Sequence, residues 1–304
     1  MPASQLLFVT GKGGTGKTTV AAALARQLAA GRRRVLLVET AAERSVAACF
    51  GGGELGAEPT ELASRLSGVR LEPRALVESY FRRLLRLSFL VRRLFASDTF
   101  RAVTAAAPGV TEFVILDHLL QWTEPGRFTR RAPFDAVIVD GPASGHAVRL
   151  LRTPRQLARL VPRGPIGAGV ARLQALLDDR RRTRVVVVAI PDEMAVSEAL
   201  ETRAALAALG LGLAPPVLNR VWPRRFSPAD ERALAVPGGA ADDPLLGAAR
   251  LAIAARHEAE RHLATLRRVF GAPPLALHEQ AGRPLDADTL AAFGRELEPA
   301  LHAA

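Results

Sequence analysis

Eight residues near the amino terminus, Gly11-Lys12-Gly13-Gly14-Thr15-Gly16-Lys17-Thr18, leave this chain few folds to choose from. They fit the phosphate-loop pattern G-x-x-x-x-G-K-[ST] and stand between an apolar run, Leu6-Leu7-Phe8-Val9, and a helical pattern that starts at Val20. A polyphosphate can be wrapped by consecutive backbone N–H groups only where side chains do not obstruct their approach, and Gly11, Gly13, Gly14 and Gly16 remove that obstruction. The helix opening near Lys17 adds its unpaired N–H groups and positive dipole end. In such a loop Lys17 meets the β- and γ-phosphates and the Thr18 hydroxyl ligates Mg2+.

Of 41 basic side chains 39 are arginine, and the two lysines, Lys12 and Lys17, both fall in this loop. A compact ammonium suits a phosphate cradle that a planar guanidinium would not fit. The net charge of +11 admits a nucleic-acid or anionic-membrane partner, but arginine spread along the whole chain argues for a compositional bias over a patch, so no specific nucleic acid is expected. With 304 residues and 49% apolar composition the chain can bury one large α/β domain. Cys49 is its one cysteine, which excludes an internal disulfide and a Cys-x-x-Cys metal clasp. No run of about 18 apolar residues occurs and Leu6 is reached without a charged leader, so a cytoplasmic protein without a transmembrane segment is expected.

The pattern predicts a parallel, doubly wound sheet of the P-loop type in a single domain over residues 1–304, with a helical subdomain inserted at about 55–130 and further helix at about 150–180. Leu6–Thr10 and Val35–Val38 read as strands flanking a first helix that ends at Gly31. Residues 51–68 read as a glycine-rich loop with a short helix. From Leu71 to Val103 a helical stripe of Leu76, Val77, Tyr80, Phe81, Leu84 and Leu85 lies opposite arginines; it can meet a membrane or a client, or pack as core. Phe134–Asp140 is an apolar strand ending in a carboxylate, the Walker B arrangement, with Asp140 holding the Mg2+ water shell. Pro154 is expected to end the helix before it, and residues 162–169 and 223–244 to be irregular. Strands follow at Val185–Ile190, Pro216–Val221 and Pro274–Leu277, and helices from Pro191, at 245–270 and at 288–301.

The loop written through Thr19, G-K-G-G-x-G-K-T-T, resembles that of the deviant phosphate-loop ATPases, the group of ArsA, MinD and the nitrogenase iron protein. The likeness to the ArsA/GET-like family spans nearly the whole chain. The family's Asp-Thr-Pro-Pro-Thr-Gly-His-x-x-Arg segment is matched by Asp140, Pro142, Gly145, His146 and Arg149, and a Pro-Gly-x-x-Glu helix start by Pro108 to Glu112. The resemblance implies ATP as ligand, Lys12 reaching across a homodimer to the partner's nucleotide, Gly145 facing the γ-phosphate within a nucleotide-sensing segment that includes His146, Glu198 near the nucleotide, and Asn219 on adenine, whose N6/N7 edge an amide can match. It also implies a protein client bound according to nucleotide state. Where the family places Asp-Pro-Ala-His after the second strand, this chain reads Glu39-Thr40-Ala41-Ala42-Glu43-Arg44, so Ala41 replaces the carboxylate that positions the attacking water. Binding is then a firmer expectation than fast turnover; Glu39 or Glu43 is either a substitute or a solvated loop charge. Arsenite is disfavoured, because a soft anion needs several thiols. Two other readings remain: a MinD- or ParA-like positioning ATPase on membrane or DNA, and a nucleotide-gated scaffold that hardly hydrolyses.

Overall fold

The computed structural model describes residues 4–40, 46–85, 109–126, 129, 131–235, 243–280 and 285–302. Ala41 to Ser45 and the helical stripe beyond residue 85 lie outside them, as do the side chains of residues 81–85.

Strand β1 (Gln5–Gly11) forms where a short β-prone run sends its apolar side chains alternately toward two cores. Leu6 and Phe8 join one apolar cluster and Leu7 and Val9 the other, all at most 2% exposed. The remaining strands are β2 (Val35–Glu39), β3 (Thr60–Ala63), β4 (Leu66–Arg70), β5 (Ala136–Ala143), β6 (Thr183–Ala189), β7 (Val217–Val221) and β8 (Leu275–His278). They form one sheet in the order β3-β4-β2-β5-β1-β6-β7-β8, parallel except for the antiparallel β3–β4 hairpin at its edge. Strands covered on both faces read as continuous apolar runs, and Val185 to Val188 is the plainest example.

Helix α1 (Lys17–Ala30) and helix α9 (Ala287–Glu296) cover the face that Leu7 and Val9 enter. The other face carries α2 (Pro73–Leu85), α3 (Val110–Thr123), α4 (Ser144–Leu160), α5 (Gly164–Asp178), α6 (Glu193–Ala208) and α8 (Pro244–Phe270), with α7 (Pro228–Ala235) lying on α8. Helix α10 (Glu298–His302) closes the described chain. Leu76, Val77 and Tyr80 are buried in the first of these cores, and Tyr80 meets Phe113 edge-on at 5.6 Å, so this part of the amphipathic stripe is core.

Four expectations differ from what is found. Residues 60–70 form strands β3 and β4, not a loop with a short helix. Pro154 lies inside α4, which continues to Leu160; proline cannot donate to the Leu150 carbonyl, while the Thr153 hydroxyl donates to the Arg149 carbonyl at 3.0 Å one residue earlier. The stretch at 162–169 already opens α5 at Gly164, and 223–244 contains α7. Glu39, far from being a solvated loop charge, is 0% exposed at the end of β2.

Candidate active site

The site lies at the carboxyl ends of the strands, where β1 is flanked by β5 and β6 and the connections diverge to opposite faces, the usual ligand crevice of an open α/β sheet. The loop that leaves β1 is shaped by close approach. A Cβ on Gly11 would lie 2.0 Å from the Val188 carbonyl oxygen, and Gly16, at φ +91°, has the Asn219 amide 2.2 Å from where its Cβ would be. Gly16 is the left-handed N-cap of α1, so the helix can begin directly below the loop. Gly13 and Gly14, by contrast, face open space, and Gly145 does too at the start of α4.

Within the loop, the Thr15 N–H and hydroxyl both donate to the Lys12 carbonyl, at 3.4 and 2.9 Å, and Lys17 Nζ donates to the same oxygen at 3.2 Å. Asn219, 7% exposed, donates from Nδ2 to the Thr15 carbonyl at 2.9 Å, so β7 braces the loop from beneath. Lys12 Nζ lies 4.0 Å from Asp192, the N-cap of α6. At that separation and with both groups partly exposed the pair holds Lys12 only weakly. Glu198 stands farther along the same helix, its carbonyl accepting from the Thr202 hydroxyl at 2.7 Å. Thr19 follows Thr18 in the first turn of α1.

Asp140, 5% exposed, lies in the buried part of β5 and accepts from the Thr18 hydroxyl through Oδ2 at 2.7 Å. Burial pushes its carboxyl up to about 6; the Thr18 hydrogen bond and the Lys17 charge oppose that rise, and Glu39 adds to it. Its Oδ1 is buried without a partner. A hydroxyl and a carboxylate, both hard oxygen donors and one oxygen still open, fit Mg2+ held partly by substrate phosphate. Among the described residues no group of three or more His, Cys, Asp or Glu could hold a metal ion, so an all-protein cage is not the alternative.

The segment after Asp140 is tied to both neighbours. The Thr10 hydroxyl donates to the Pro142 carbonyl at 2.9 Å, and the Thr40 hydroxyl to the Asp140 carbonyl at 2.7 Å. A Cβ on Gly141 would lie 2.6 Å from the Val9 carbonyl oxygen. The chain then enters α4, whose exposed Arg149 pairs with Glu112 in the first turn of α3 at 3.0 Å. His146 is exposed. Sequence reasoning passed over Thr10, Thr40 and Ser144, short hydroxyl residues with no spacing signature, and it missed Arg70, which pairs with Glu39 at 3.2 Å.

A glycine loop between the first strand and helix, with a Walker B carboxylate on an adjacent parallel strand, defines a P-loop nucleoside triphosphatase. The family model of the anion-transporting ATPases (ArsA ATPase) matches residues 4–163. ATPase BagA of Mycobacterium tuberculosis is 30% identical over 234 residues, 74% of this chain and 68% of that protein. Arsenical pump-driving ATPases of Escherichia coli and Acidiphilium multivorum are 30% and 29% identical over 249 and 250 residues, each covering 76% of this chain but 42% of theirs. The chain belongs to the ArsA-type anion-transporting ATPase family, and it is an ATPase.

Among the described residues no helix is long and apolar enough to cross a membrane.

Proposed function

We propose that the chain is a cytoplasmic, homodimeric ATP switch that binds Mg·ATP in the loop Gly11 to Thr19 and couples its hydrolysis to the capture of a protein client. The observation that carries the switch is continuity: Asp140 touches Thr18 at 2.7 Å, the next residues are clamped by Thr10 and Thr40, and the same segment runs directly into α4. A γ-phosphate that attracts the exposed backbone at Gly145 would pull on the start of α4, and through Arg149 and Glu112 on α3. Two discrete arrangements of that helix pair would then be read by the client.

The residues divide the work. The N–H groups of residues 13–18 and Lys17 hold the β- and γ-phosphates; Thr18 and Asp140 would hold Mg2+, which when bound neutralises charge on the phosphate oxygens. Lys12, weakly engaged at Asp192, is the residue free to meet the second subunit's nucleotide. Asn219, already on the loop, would give its remaining amide groups to adenine, and Glu198 would line the dimer side. Arsenite is not the cargo in this reading: Cys49 is a single, half-buried thiol whose pKa burial raises, the opposite of a soft-anion trap.

Sedimentation velocity of the purified chain with Mg·ATP, ADP or EDTA tests this. A dimer is expected with Mg·ATP only, and Lys12→Ala should bind ATP yet stay monomeric. A wild-type monomer under all three conditions would remove the dimeric switch.

A further inference from the structure

Three adjacent strands place three charged side chains in one row. Parallel register pairs Glu39 of β2 with Arg70 of β4 on one side and with Asp140 of β5 on the other. In-register residues of parallel strands leave the same face, here with neighbouring strands about 4.8 Å apart. Two carboxylates are thus side by side at the carboxyl end of the sheet, 0% and 5% exposed.

Their hydrogen bonds stop short of using all their oxygens. Arg70 Nη2 donates to Glu39 Oε1 at 3.2 Å, and Arg70 also faces the exposed Glu54 at 3.8 Å. Thr18 donates to Asp140 Oδ2. Glu39 Oε2 and Asp140 Oδ1 are both buried with no partner, and so is the hydroxyl of Ser144 at the head of α4. The backbone fixes the row: Leu71 N–H donates to the Glu39 carbonyl and Thr40 N–H to the Asp140 carbonyl. An arginine–glutamate pair that only held β2 to β4 would gain from turning its second oxygen outward. Here that oxygen is buried instead, on a side chain that leaves the same sheet face as Asp140, and the two carboxylates repel each other unless a donor comes between them.

The geometry points to Glu39 as a second carboxylate of the metal site, accepting hydrogen bonds with Asp140 from the water shell of the nucleotide-bound divalent cation while Arg70 fixes its orientation. Glu39 is a positioning residue: it orients metal-bound water and does not touch the metal or the phosphates. This rests on the Mg·ATP reading above and adds a residue that neither the loop nor the carboxylate motif contains.

Calorimetric titration of ATP into the full chain, repeated in EDTA and across a series of Mg2+ concentrations, tests it. Glu39→Gln keeps the size of the side chain and an oxygen for Arg70, so affinity in EDTA should match wild type, while the Mg2+ concentration giving half the metal-dependent gain should rise about tenfold, the usual effect of losing an outer-shell carboxylate. Arg70→Met leaves Glu39 in place but unanchored, and should move the same midpoint in the same direction even if Glu39→Gln cannot be folded. A merely structural pair would alter the EDTA affinity or the melting temperature and leave the midpoint alone. A wild-type midpoint in whichever variant folds overturns the inference. Wild-type protein that binds no ATP at all would instead sink the nucleotide site itself.

Discussion

Replacing Asp140 with asparagine should make the nucleotide-free protein more stable at neutral pH while destroying its response to Mg2+. The carboxyl has its pKa raised from 3.8 to about 6, chiefly by burial. A group that binds its proton more tightly when folded than when unfolded stabilises the fold below its unfolded pKa, relative to higher pH, and that advantage disappears as pH rises through the folded value. A rise of about two units, at about 1.4 kcal/mol per unit, means that holding Asp140 ionised costs on the order of 3 kcal/mol at pH 8. Asparagine resembles the protonated form, and its carbonyl still accepts from Thr18. The variant should therefore melt higher than wild type in EDTA at pH 8, by roughly 6–12 °C at ~2–4 °C per kcal/mol, and the difference should fall to about half by pH 5 and vanish below about pH 4, the unfolded pKa. Thermal unfolding in EDTA at pH 4, 5, 6 and 8 measures this. A variant that melts lower at pH 8, or a difference that ignores pH, would refute the reasoning that Asp140 is a strained, desolvated carboxylate kept for its metal.

Gly16→Ala should lower ATP affinity at least about tenfold and destabilise the loop, because its Cβ would fall 2.2 Å from Asn219 Nδ2 at a φ of +91°; calorimetry beside a melting curve reads both, and near wild-type affinity would contradict the observed loop shape. At the opposite end of the sheet Asp135 accepts from the Arg34 backbone N–H and from the Arg34 and Arg131 side chains, which hold its carboxyl well below the usual range. Asp135→Ala should cost about 2–3 kcal/mol in urea unfolding at pH 7. Since a depressed carboxyl stabilises above its unfolded pKa and loses that contribution as pH falls, the gap between wild type and variant should narrow below about pH 4; a gap that widens there would be contrary.

The nucleotide loop, Asp140 and most strands and helices were legible because their signals are local: glycines at fixed offsets, an apolar run closed by a carboxylate, a 3.6-residue period. Features that depend on distant partners were not. The β3–β4 hairpin is built from strands of four and five residues in a glycine-rich stretch, with the Leu62 and Leu55 side-chain ends lying over Gly68. That omission hid the partner of Glu39, since Arg70 lies 31 residues away on a strand the pattern did not predict. A carboxylate without a visible partner reads as solvated; the same carboxylate with β4 beside it is buried. Pro154 misled for the opposite reason, as a local rule gave way to tertiary packing: it is buried within α4, whose next turns pack on α5 and α6. The Asn219 contact with Thr15 spans 204 residues and was legible only as a residue type suited to a base edge.

Calorimetric titration of Mg·ATP into the wild-type chain and into Lys17→Ala decides whether the hollow at the head of α1 is what holds the nucleotide. One ATP per chain is expected for wild type, with no measurable heat for the variant. Equal binding by both proteins, or none by wild type, would contradict the assignment of Gly11 to Thr19 as the nucleotide site.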